Sequence, residues 1–166
     1  MGMVRLLHES LEGGIHWGMK LKNILAPELI TVDVRGTTKK EIIQELLGLL
    51  VKAGRVSEVD MVLGELMERE RKMSTGIQHG VAIPHAKTKA VKNLVACIGI
   101  KKEGIDFQSL DGEPSRIFIM TLSPIDRVGP HVQFLAEISM VIKTEEARAR
   151  LIQAKNAQEV LAVFGL

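Results

Sequence analysis

The sequence predicts one mixed α/β domain, a mixed sheet flanked by helices. Two near-continuous apolar runs of strand length, Asn93 to Ile100 and Arg116 to Leu122, fit central strands covered on both faces. Between and around them lie segments with helical periodicity and clear start signals. The chain has 166 residues, enough for one compact core and too short for two. Hydrophobic residues make up 46% and charged residues 25%, an ordinary globular balance.

The elements follow in order. Residues 1–18 read as an N-terminal extension, broken by Gly13, Gly14 and Gly18 and flexible, with Met19 opening a domain over 19–166. Glu28 to Val34 alternates through Leu29, Ile30, Val32 and Val34 and reads as a strand. Thr38-Lys39-Lys40-Glu41 forms a capping box, in which the Thr hydroxyl takes one orphan N–H and Glu41 reaches back to another. Ile42, Ile43, Leu46, Leu47 and Leu50 mark the buried face of the helix that follows, and Gly54 ends it. Ser57 is the expected cap of a second helix, with Val59, Leu63, Leu66 and Met67 inward, running into the charged cluster 68–72.

Met73 to His85 reads as a loop punctuated by Gly76 and Gly80, with a short strand at Val81 to Ile83. After the two apolar runs, Pro130 to Ile142 is a helix with Val132, Leu135, Ile138 and Ile142 inward. Thr144 opens another, with Glu145 and Glu146 favourably placed in its first turn, and Asn156 caps a last short helix.

Composition excludes several functions. Net charge is +2, from 22 basic and 20 acidic residues, too even to point to nucleic acid or an anionic membrane. Four Phe, one Trp and no Tyr offer few faces for stacking bases. No apolar stretch reaches the ~18 residues of a membrane span, and the N-terminus lacks a signal peptide's apolar region, so a cytoplasmic protein is expected. The single cysteine, Cys97, rules out an internal disulfide and reads as a small buried hydrophobe. HExxH and CxxC are missing, so neither a metal nor a cofactor is expected. Phosphate loops, kinase signatures and the GxSxG elbow are absent too.

What remains is the loop around His85. Pro84 fixes its own φ and restricts Ile83, so the backbone entering His85 is stiff. A neutral imidazole is a competent nucleophile near pH 7, and Arg69, closing the second helix, could swing its guanidinium toward a phosphoryl group on it. His131 and His79 are the other imidazoles outside the first 18 residues; His8 and His16 read as solvent-exposed. By spacing alone, a lone His after Pro in a Gly-rich loop is more often just a turn residue.

Arg69-Glu70, the run Ser74-Thr75-Gly76-Ile77-Gln78-His79-Gly80-Val81-Ala82-Ile83-Pro84-His85-Ala86-Lys87, and the block Pro124-Ile125-Asp126 through His131-Val132-Gln133-Phe134-Leu135 together resemble the fructose/mannitol-type IIA components of the bacterial sugar phosphotransferase system. Nitrogen-regulatory IIA proteins share the pattern. The resemblance runs from about Met19 to Phe164 and implies a roughly five-stranded mixed sheet between helices. It implies that His85 accepts phosphate, that Arg69 steadies it and that His131 is a second active-site histidine. The implied donor is HPr or its paralogue; the implied acceptor is a cysteine or histidine of a IIB domain. His79 departs from the family's usual small or polar residue. Two roles follow, phosphoryl carrier in sugar uptake or nitrogen-type regulator of partner proteins. The short chain and the Ser74–Ile77 wording point slightly toward the second. Met73, Ile77 and Val81 belong either to a docking surface or to the core.

Overall fold

The computed structural model describes residues 21–166; the expected extension over residues 1–18, with His8 and His16, lies outside them. A short helix α1 (Leu21–Ile24) and a 3₁₀ turn (Pro27–Leu29) lead into β1 (Ile30–Thr31). Helices α2 (Lys39–Lys52) and α3 (Val59–Lys72) follow, then β2 (Val81–Ala82), β3 (His85–Thr88), β4 (Val95–Ile105) and β5 (Ser115–Pro124). Three helices close the domain: α4 (Gly129–Ile142), α5 (Glu145–Gln153) and α6 (Ala157–Val163).

The five-stranded sheet is mixed, as expected. β4 and β5 pair antiparallel at its centre, and β1 runs parallel to the outer side of β4. Along the other side of β5 lie β2 and then β3, both parallel to it, with Val81 opposite Ile117 and His85 opposite Thr121. Residues 81–88 thus form one edge interrupted at Ile83-Pro84, because Pro84 has no N–H to give the ladder. Its carbonyl still accepts from the Thr121 N–H at 3.0 Å.

Alternation along the central strands divides the core in two. Cys97, Phe118, Met120 and Leu122 face α2 and α3, with Ile42, Leu46, Leu50, Val62 and Leu66. Ala96, Ile98, Ile100, Ile117 and Ile119 face α4, α5 and α6, with Phe134, Ile138, Leu151 and Val160. Both faces of the pair are covered, which explains its unbroken apolar runs. Cys97 is wholly buried; burial pushes its thiol far up, and Sγ donates to the Leu46 carbonyl.

Local expectations were met unevenly. Thr38 caps α2 by accepting the Glu41 N–H, but Glu41 reaches back to the Thr37 N–H and hydroxyl, one residue earlier than a capping box requires. Thr144 and Asn156 cap α5 and α6 as read. Ser57 does not cap α3: the helix starts at Val59 after Glu58, whose side chain makes no cap bond. Its buried stripe is Val62, Leu66 and Glu70, while Val59 is exposed and Leu63 and Met67 are partly buried. Four-residue spacing, continued onto a carboxylate, sets the inward phase here. The strand read over 28–34 shrinks to Ile30–Thr31, because Pro27 presets a helical φ and turns the chain into a 3₁₀ turn. In α4 the inward stripe is Phe134, Ile138 and Ile142, with Val132 exposed.

Candidate active site

The site lies where the β2–β3 edge, the last turn of α3 and the first turn of α4 converge. His85 opens β3 and is half-buried. Its Nδ1 lies 2.8 Å from the Ile83 carbonyl oxygen. A carbonyl only accepts, so Nδ1 carries the proton and donates, which leaves the Nε2 lone pair free in the neutral ring. Ile83 can present that carbonyl because Pro84 stiffens the step between them.

His131 stands in the first turn of α4. Its ring centroid is 5.4 Å from that of His85, tilted by 32°. Its Nδ1 is 3.3 Å from the hydroxyl of Thr121, the residue paired with His85 across the sheet. Arg69, in the last turn of α3, donates from Nη1 to the Met73 carbonyl at 2.7 Å, closing the C-terminus of its helix. Arg69 and His85 line one open cleft of about 610 Å³ with Lys72 and Lys87, and with the acidic Asp60, Glu65 and Glu68. Exposed Met61 also borders the cleft.

Behind this cleft a buried network holds the loop. The Glu70 carboxylate accepts the Thr75 N–H at 2.9 Å and the Thr75 hydroxyl at 2.5 Å. It pairs with Lys39 Nζ at 2.9 Å. Lys39 also donates to Gln108 Oε1 at 3.0 Å and lies 4.7 Å above the Phe107 ring. Ser74 donates to the Phe107 carbonyl at 2.6 Å, and Thr75 accepts the Ile83 N–H at 3.0 Å. Gly76 packs so tightly on Ser109 that an added Cβ would sit 2.5 Å from its hydroxyl. At the loop's far end His79 and Gly80 are both left-handed, with φ of 60° and 77°. The His79 N–H donates to Asp111 at 2.9 Å. His79 is exposed at this turn and lines a cavity with Leu110 and Ser139, apart from the cleft of His85.

His85 and His131 are both held below their ordinary pKa. For His85 burial is the main cause, opposed by the bond to Ile83; the Arg69 charge lowers it further and that of Glu70 raises it. For His131 burial again leads, followed by repulsion from His85 and Lys87. Each ring is neutral near pH 7. The folded state resists protonation that the unfolded chain accepts. The stability is therefore complete above the unfolded value of about 6.5 and is lost as pH falls through the lower folded values. Thermal melts should show Tm falling more steeply from pH 7 to pH 5 in the wild type than in a His85→Ala/His131→Ala variant. Equal slopes would contradict the assignment.

This arrangement, an unhindered imidazole nitrogen beside a second imidazole and a guanidinium, suits transfer of an anionic group between side chains. The family model described as "Phosphoenolpyruvate-dependent sugar phosphotransferase system, EIIA 2" matches residues 23–165. The chain belongs to this EIIA 2 family. It is therefore a phosphotransfer protein. This EIIA 2 chain is 37% identical over 144 residues to the fructose-specific EIIA component of Haloferax volcanii, covering 87% of itself and 94% of that protein. It is 31% identical to the fructose-specific EIIABC component of Bacillus subtilis, spanning 88% of itself but only 23% of that longer protein. Its fold matches the nitrogen regulatory protein IIA-Ntr of Neisseria meningitidis with a TM-score of 0.79 at 28% identity, over 87% of this chain and 98% of that one.

The EIIA 2 fold brings His85, His131 and Arg69 together and leaves His79 outside. Met73 is exposed, Val81 is core and Ile77 is partly buried, which divides the three apolar residues between surface and interior. Glu70 is not among the site residues the sequence predicts, although it follows Arg69 in the run that carries the family resemblance. Glu70 sits in a charged run that reads as solvated, and only its four-residue spacing from Leu66 and Val62 could have marked it as inward. Among the described residues no group of three metal-ligating side chains occurs, and no helix is long and apolar enough to cross a membrane.

Proposed function

We propose that this protein is the phosphoryl-carrying EIIA component of a fructose-type sugar uptake system, with His85 Nε2 as the acceptor atom. The observation that carries this reading is the bond from His85 Nδ1 to the Ile83 carbonyl, which leaves Nε2 as the nucleophile in a cleft shared with Arg69. The Nε2 lone pair forms the new N–P bond while the N–P bond of a donor phosphohistidine breaks. No proton has to leave for the attack, since Nδ1–H stays on the carbonyl. Arg69, Lys72 and Lys87 compensate the incoming charge, and His131 flanks the phosphoryl group. HPr or its paralogue is the donor and a IIB domain the acceptor. Exposed Met61 and Met73, and Val128 and Val132 near His131, offer apolar area for those partners.

The fructose reading is favoured over the nitrogen-regulatory one by the 37% identity to a fructose-specific EIIA component, against 28% to IIA-Ntr. The test loads the protein with phosphoenolpyruvate, the general phosphotransferase enzyme and HPr, then adds a fructose-type IIB domain. Phosphate should pass to IIB. Retention of phosphate in its presence would favour a regulator and overturn the uptake role. In the same assay Arg69→Ala should slow transfer about tenfold to a hundredfold, the worth of one charge-assisted hydrogen bond. Unchanged kinetics would remove Arg69 from the site.

A further inference from the structure

We propose that Glu70 is a positioning residue for His85, acting through Thr75 and Ile83. The inference rests on the reading of His85 as the nucleophile. A continuous chain of bonds joins the two. Glu70 accepts the Thr75 N–H and hydroxyl, the Thr75 carbonyl accepts the Ile83 N–H, and the Ile83 carbonyl accepts His85 Nδ1–H. The carboxylate is buried and charge-compensated by Lys39 at 2.9 Å. It thereby fixes the peptide whose carbonyl orients the imidazole and selects its tautomer. Phosphoryl attack by Nε2 leaves positive charge on the ring, and the bond at Nδ1 is where that charge is relieved. A carboxylate orienting a metal-bound histidine plays an equivalent part, through a direct bond rather than through two peptides.

The buried position needs a reason beyond stability. An ion pair removed from water is weak evidence for stabilisation, because desolvation offsets much of the attraction. Here the carboxylate also sits one residue after Arg69 and ties the end of α3 to the strand edge. The His85 ring is faced by Arg69 and Glu70 from α3 and by His131 from α4, while Lys87 on its own strand lines the same cleft and acts on His131. Asp60, Glu65, Glu68 and Lys72 border the same cleft. Glu70 is the one of these groups bonded to Thr75, whose carbonyl accepts the Ile83 N–H on the path to Nδ1.

Glu70→Gln separates positioning from mere structural support. Loosening the site would relieve burial and move the His85 titration midpoint up toward its ordinary value. Loss of the carboxylate's charge moves it down. Nitrogen-15 NMR of the His85 ring in E70Q should show a lower midpoint and a smaller fraction of the Nδ1–H tautomer. Transfer from HPr at pH 7 should be slower by roughly tenfold, the lower end of the effect of such carboxylates behind metal-bound histidines. Glu70→Asp, which keeps the charge, should restore the midpoint. A folded E70Q with wild-type midpoint, tautomer and rate would overturn the proposal, as would a midpoint that rises. Should E70Q not fold, E70Q/K39M leaves no unpaired ammonium; a wild-type tautomer ratio and rate there would overturn it equally. The ring signals are read without phosphate, so failure here is distinct from failure of His85 as acceptor.

Discussion

His85→Ala is expected to stop phosphoryl transfer through this protein, by more than about 10³-fold, while the domain stays folded. The rate effect is that of removing a covalent nucleophile rather than a supporting group. His131 cannot simply take over. Its Nδ1 faces Thr121 rather than a rigid carbonyl, and it lacks the strand-edge position that sets the His85 ring between α3 and α4. The stability cost should be small. His85 is half-buried and makes one hydrogen bond, worth about 0.5–1.5 kcal/mol, and its removal also frees the site from keeping a desolvated imidazole neutral. Phosphate incorporation measured by intact mass, beside a urea unfolding curve, separates the two effects. A folded variant that still took up phosphate would remove His85 from the mechanism.

Phe107→Ala is expected to have the largest effect on stability, about 3–5 kcal/mol. The ring is wholly buried, lies 5.4 Å from Phe118 and carries Lys39 Nζ 4.7 Å above its face. Truncation opens a cavity and removes the platform under the ammonium that pairs with Glu70. The Phe107 carbonyl also accepts the Ser74 hydroxyl, so a shift of this backbone reaches the 73–80 loop. Denaturant unfolding should show a lower midpoint with a similar slope, and transfer should slow in the molecules that remain folded. A loss below about 1 kcal/mol would mean that the site rests on other supports.

The site was legible in the sequence where chemistry and backbone coincide. Pro84 before His85 announces a stiff approach whatever surrounds it, and Gly80 announces the turn that β2 needs. The apolar runs of β4 and β5 and the caps at Thr38, Thr144 and Asn156 are local signals that survive folding. The misreadings share a cause, a tertiary partner far along the chain. Glu70 lies within the charged cluster 68–72, yet Lys39 and Thr75 bury it. The strand at His85–Thr88 begins where the expected loop ends and carries no local signal, because its partner is β5 rather than its own neighbours. Ser57 looked like a cap until Val62 and Leu66 set the phase of α3. Arg69 and His131 are candidates by residue type, and the family pattern assigns their roles, since 62 positions separate two residues that only the fold brings to either side of His85.

The most direct measurement is phosphorus and nitrogen NMR on the protein phosphorylated by phosphoenolpyruvate through HPr, with histidine labelled in the ring. One phosphate is expected, coupled to Nε2 of His85, with Nδ1 still protonated. Phosphate on Nδ1, or on any residue other than His85, would contradict it.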